Sequence, residues 1–282
     1  MAVVRAGLLH EFLPPAEGRD AILEVEEVHL SFAGVKAIDG VSFTVHNGEL
    51  FAIIGPNGAG KTSIFNCISG VYRPQEGSIR FLGHDLLGMK PHRIADLGVA
   101  RTFQNIELFP QLTVLDNLML GRHQHLHYGT VAAAIRVGRA AREEARNREV
   151  VEGIIEFLDI HQHRKSYVAM LPYGIQKRIE LGRALAMEPK LLLLDEPGAG
   201  MNLEETEDMA RYISDIRREL GIGIVLVDHE MRMVMDLADT VLAIDFGKPI
   251  AIGTPREIQS NADVIRAYLG QEHAIAEAGG TT

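Results

Sequence analysis

Residues 55–62 read Gly-Pro-Asn-Gly-Ala-Gly-Lys-Thr, placed directly after the apolar run Leu50–Ile54. Glycines at 55, 58 and 60 let a short loop curl so that its backbone N–H groups face an anion. A helix opening at the end of that loop adds partial positive charge from its N-terminus. Lys61 supplies a point charge for β- and γ-phosphates, and the Thr62 hydroxyl can place an oxygen on Mg²⁺. The candidate phosphate-binding segment therefore runs through Gly55, Pro56, Asn57, Gly58, Ala59, Gly60, Lys61, Thr62 and Ser63.

A second constellation is LLLLDEP, residues 191–197. A strand this apolar belongs in a core, so two carboxylates at its end need a reason. Asp195, at the C-terminal edge of a parallel sheet, is placed to hold Mg²⁺ directly or through water. Glu196 can polarise an attacking water as general base. His229, in IVLVDHE, ends another apolar run, and Gln104 sits in ARTFQNIELFP, where a strand meets a helical stretch. The turn LPYG (171–174) opens a further helix with no Ser, Cys or His to act as nucleophile. Hydropathy puts Ile175, Ile179, Gly182 and Leu185 on one face of that helix, with Lys177 and Arg178 opposite.

The elements that must position these residues follow from pattern. ILEVEEVHLSF and VKAIDGVSFTV alternate as strands of an antiparallel layer, most clearly at Val41, Phe43 and Val45. ELFAII, KLLLLDEP, GIGIVLVDHE and TVLAIDFG are apolar runs separated by helix-like segments, which implies βαβ units and a mainly parallel sheet. Between them lies an Ala-, Arg- and Glu-rich stretch with helical spacing, a helical insert. The expected organisation is an arm at 1–21, core at 22–104, helical subdomain at 105–185, core again at 186–270 and a tail at 271–282.

With 28 Lys plus Arg against 38 Asp plus Glu, the net charge of −10 disfavours nucleic acid as a partner. The single cysteine, Cys67, rules out an intrachain disulfide and reads as a core residue. No apolar run approaches the ~20 residues that span a bilayer, and no signal peptide is evident. A cytoplasmic protein is expected. DFG at 245–247 lacks the rest of a kinase signature and reads as a strand ending in a turn. The His clusters at 123–127 and 161–163 read as exposed polar segments.

Taken in order, the loop at 55–62, Gln104, LPYGIQKR, LLLLDEP and VDHE resemble the nucleotide-binding domain of ABC transporters, over roughly residues 22–270. LPYG, LLLLDEPGAGMN and GTPREIQSNADVIRAYLG resemble in particular the ATPase subunits of branched-chain amino-acid importers. The resemblance implies an α/β P-loop NTPase fold of the ABC ATPase type. It has a mainly parallel central sheet, an N-terminal antiparallel β layer and an inserted helical subdomain. It also implies ATP and Mg²⁺ as cofactors, Glu196 as catalytic carboxylate, Gln104 sensing γ-phosphate and metal, and His229 on the γ-phosphate. Phe32 would stack on adenine. Tyr173 and Gly174, in the signature turn, would touch ATP held by a second ATPase subunit, identical or not, in a nucleotide-sandwich dimer.

Further implied partners are membrane permease subunits, with 105–121 forming the docking groove, and indirectly a solute-binding protein. These place the chain on the inner face of the plasma membrane. Four departures mark the trans half of the site: Pro172, Tyr173 and Ile175 in the signature turn, and Asn202 where the family's D-loop carries aspartate. Alternatives within the resemblance are an ATP-binding regulatory subunit with weak turnover, a lipid or lipopolysaccharide export ATPase, and a non-transport ABC ATPase.

Overall fold

The computed structural model describes Leu9 and residues 20–102, 106–125, 139–228 (side chains from 142) and 231–268. Two compact units divide the chain: a core unit of residues 18–97, 193–196 and 223–282, and a helical unit of residues 1–17, 98–192 and 197–222.

In the core unit, β1 (Ala21–Phe32) pairs antiparallel with β2 (Val35–His46) and with β4 (Glu76–Phe81), and the short β5 (His84–Asp85) flanks β4. The register sets Leu23 against Val45 and Phe81, and Val25 against Phe43 and Ile79, so one face is wholly apolar and buried. This is the antiparallel layer expected from alternation.

The parallel strands are continuous apolar runs because both their faces are covered. β3 (Leu50–Ile54) is fully buried and runs parallel to β8 (Gly223–Val227) and β9 (Thr240–Asp245). β9 turns back through Phe246 and Gly247 into the antiparallel edge strand β10 (Lys248–Gly253). Strand order is β10-β9-β3-β8, with the end of β7 (Leu191–Asp195) beside β8, where Glu196 N–H donates to Val227 O at 2.7 Å. Phe43 of β2 stacks on Phe51 of β3, with ring centroids 4.8 Å apart, and joins the two sheets. Helix α1 (Lys61–Ile68) leaves β3 through the glycine-rich loop, and α2 (Pro91–Asp96) follows β5. α7 (Met231–Leu237) precedes β9, and α8 (Pro255–Ser260) opens on a Thr254–Glu257 capping box.

In the helical unit, β6 (Val99–Arg101) lies beside the start of β7, and the N–H groups of Lys190 and Leu191 both donate to Gly98 O. β6, α3 (Val114–Gly121) and α4 (Arg139–Phe157) all pack on α5 (Tyr173–Leu185), whose Arg178 pairs with Asp208 of α6 (Leu203–Leu220). Gly182 of α5 admits close packing: a side chain there would press on Leu118, Ile154 and Leu158. Buried Arg122 ties the unit together by donating to Asn147 Oδ1, Ala186 O and Glu188 Oε1. Lys177 corrects the sequence reading of a polar outer face. It is 2% exposed and lies 3.3 Å from Glu180, which is also buried. Among the described residues no helix is long and apolar enough to cross a membrane.

Candidate functional site

The loop from Gly55 to Gly60 is held open by its neighbours. Gly60 caps α1 at φ 105°, with the Ala37 carbonyl in the space its side chain would take, so only glycine fits. Gly247, in the turn between β9 and β10, donates its N–H to Ala59 O at 2.9 Å and accepts from Asp39 N–H at 2.8 Å. The DFG tripeptide is thus a turn, as read from sequence, and it pins the loop from outside. Asn57, Gly58 and Thr62 are exposed, Ser63 is half-buried, and Pro56 and Ala59 are buried.

Lys61 is 6% exposed, and its ammonium donates to Gly55 O at 2.6 Å and Pro56 O at 2.9 Å. Burial lowers its pKa, while the negative charge of Glu196, Asp195 and Asp228 acts in the opposite direction. The core unit therefore brings the candidate phosphate-binding loop, Asp195 and Glu196 around one cation. Asp195 is 3% exposed. Glu196 is half-buried and adopts φ 47°, a left-handed conformation that costs a glutamate roughly 1–3 kcal/mol. Asp228, 1% exposed, is the member that sequence reading missed. It directly follows β8, whereas Asp195 is the last residue of β7, and the same signal, an apolar run closing on a carboxylate, would have found it.

The donors here are hydroxyl and carboxylate oxygens, the hard ligands Mg²⁺ takes. Buried carboxylates facing one ammonium also leave negative charge that a divalent cation would offset. Both observations fit Mg²⁺ in company with phosphate oxygens. Among the described residues no cluster of three or more His, Cys, Asp and Glu forms an all-protein metal site.

Phe32 closes β1 and is 45% exposed, with its ring centroid 5.0 Å from that of Tyr72. Tyr268 buries its hydroxyl near the Gly55 N–H, and burial pushes its phenol up to about 12. Gln104 and His229 lie outside the described residues.

In the helical unit, Pro172 takes the N-cap position of α5 and Tyr173 and Gly174 form its first residues. Tyr173 is 42% exposed and donates its hydroxyl to Ala199 O at 3.1 Å. Gly174 is buried, with the Glu205 carboxylate against it. Asn202 caps α6: its Oδ1 accepts from Glu205 N–H, and Glu205 Oε2 accepts from Asn202 N–H, both at 3.0 Å. The signature turn and the segment after Glu196 thus share one packed corner.

A phosphate-cradling loop, a buried lysine and carboxylates at the ends of parallel strands define a P-loop nucleoside triphosphatase. Comparison with known proteins narrows this. The ABC transporter profile matches residues 38–199, more than half of the chain, and the profile for branched-chain amino acid ATP-binding cassette transporters matches residues 248–274. BraF of Pseudomonas aeruginosa, a high-affinity branched-chain amino acid transport ATP-binding protein, is 39% identical over 250 residues, covering 89% of this chain and 98% of that protein. Lipopolysaccharide export ATP-binding protein LptB of Haemophilus influenzae is 33% identical, covering 90% and 100%. The crystal structure of a nucleotide-free ATP-binding cassette from an ABC transporter superposes with TM-score 0.77 at 29% identity, covering 88% of this chain and 99% of that one. The chain belongs to the ABC transporter family. It is an ATP-binding and ATP-hydrolysing subunit of that class.

Proposed function

We propose that this chain drives import of branched-chain or related amino acids through a separate membrane permease, from the inner face of the plasma membrane. The observation that carries the reading is the Lys61 ammonium, held on the loop carbonyls and faced by Asp195, Glu196 and Asp228. Two of its three N–H donors go to Gly55 O and Pro56 O, and we assign the third to phosphate. Backbone N–H groups of the loop, at the exposed Asn57 and Gly58 and at Gly60, bind the remaining phosphate oxygens, with Ser63 beside them. Thr62 and Asp195, with Gln104, would hold Mg²⁺, which supplies charge neutralisation on the β- and γ-phosphates. Glu196 takes the proton of the attacking water, and His229 and Gln104 orient the γ-phosphate. Phe32 stacks on adenine. Phosphoryl transfer asks mainly for positioning and charge, which suits a site without a nucleophilic side chain.

The turn of Tyr173 and Gly174 would close over ATP held by a second ATPase subunit, identical or different. The helical unit would meet the permease near Phe109, which is 53% exposed. A solute-binding protein would deliver the cargo from outside. Amino-acid cargo is favoured over lipid export by the match at 248–274 and by 37–39% identity to bacterial amino-acid transport relatives, whereas LptB, like an archaeal amino-acid transport relative, stands at 33%. Reconstitution with a branched-chain amino-acid permease and its solute-binding protein tests the reading. Leucine, isoleucine or valine should stimulate ATP hydrolysis and accumulate in vesicles. Stimulation by lipopolysaccharide or lipid alone would overturn the cargo assignment.

A further inference from the structure

We infer that Tyr72 is a positioning residue for the adenine-binding ring, holding Phe32 at a fixed offset from the phosphate-binding loop. This rests on the proposed role of Phe32. Phe32 stands at the tip of the β1–β2 hairpin, next to the two-residue turn Ala33–Gly34, where both residues have positive φ. A ring at such a tip has few neighbours to fix its rotamer. Tyr72 supplies one: the ring centroids are 5.0 Å apart and the planes cross at 70°, the edge-to-face arrangement favoured by aromatic quadrupoles. Phe32 is 45% and Tyr72 36% exposed, so the pair keeps area open for a base.

Tyr72 is itself anchored to the helix that begins at Lys61. The N–H groups of Val71 and Tyr72 both donate to Asn66 O of α1, at 2.8 and 3.0 Å. Three residues on, Gln75 clamps the end of β1. Its Oε1 accepts from Ser31 N–H at 2.9 Å, its Nε2 donates to Ser31 O at 3.1 Å, and its backbone N–H donates to His29 O at 2.9 Å. Segment 71–75 therefore bridges α1, which carries the phosphate-binding lysine, and the strand end that carries Phe32. Both ends of a nucleotide would be gauged by one rigid connection. An ornamental surface pair would have no need of that double anchorage.

Calorimetric titration of the purified chain with ATP and with inorganic tripolyphosphate, both with Mg²⁺, tests the inference. Tripolyphosphate reports the loop without a base. Phe32→Ala and Tyr72→Ala should each weaken ATP binding by about three- to tenfold and leave tripolyphosphate binding unchanged, while Tyr72→Phe should match the native chain. Tyr72→Leu replaces the alanine variant if that does not fold. If Phe32→Ala weakens ATP binding and Tyr72→Ala does not, Tyr72 has no positioning role. Equal loss of ATP and tripolyphosphate in Tyr72→Ala would mean general damage to the loop and would also overturn the inference. An unchanged Phe32→Ala would remove the adenine platform itself, a separate failure of the underlying reading.

Discussion

The Glu205 carboxylate lies against the α-carbon of Gly174, in the space that a side chain at residue 174 would need. Glu205 is fixed there because it also closes the capping box with Asn202 at the start of α6. Gly174 is therefore required on two grounds: the packing within its own unit, and the close approach to phosphate proposed for the signature turn. These can be separated. Gly174→Ala should destabilise the chain by about 1–3 kcal/mol through overpacking. Adding Glu205→Ala opens the space but removes half of the capping box, so in urea denaturation the double variant should be nearly as stable as Glu205→Ala alone. Its ATP turnover should stay low if the backbone of residue 174 works on phosphate. Stability and turnover both matching Glu205→Ala would assign Gly174 to packing alone.

Asn202 stands where the family's aspartate is common, and in this chain it is an N-cap with geometry that aspartate reproduces equally well. Asn202→Ala should cost about 1 kcal/mol, within the usual range for a lost cap. Asn202→Asp should unfold at the same urea concentration as the native chain. A large loss in Asn202→Asp would show that the amide nitrogen has a role beyond capping.

Much of this arrangement was legible before the structure. β3, β7 and β8 announce themselves because strands covered on both faces must be apolar throughout, and the motifs follow from their ends. β10 gives no such signal. It is an edge strand carrying Lys248 and Pro249, exposed residues suited to an unpaired edge. Lys177 defeats a hydropathy reading because a buried ion pair with Glu180, three residues on, satisfies its charge inside the helical unit. Asp228 was hidden by its neighbour His229, whose chemistry draws attention first. Tyr72 carries no motif at all, and only the fold brings it to Phe32.

Cys67, on α1, is 2% exposed, and burial pushes its thiol from 9.0 up to about 12. As the only cysteine, it reports on α1 without ambiguity. A thiol reagent at pH 8 should label the chain at the rate of unfolding rather than at the rate of a free thiol. Because the folded pKa is raised, the stability linked to Cys67 is complete below pH 9 and is lost as pH rises through about 12. Tyr268 acts in the same sense between 10 and about 12. Unfolding midpoints should therefore fall steadily above pH 9. A midpoint that stays flat to pH 12 would contradict the burial of both groups.

The proposed hydrolytic step has Glu196 activate water against ATP held by the loop at Lys61. Its most direct test is single-turnover phosphate release by the chain and by Glu196→Gln, both saturated with ATP and Mg²⁺, alongside ATP affinity. Affinity should be unchanged in Glu196→Gln and the rate lower by about 10²–10⁴, the usual contribution of a general base. Phosphate release by Glu196→Gln at the native rate would contradict it.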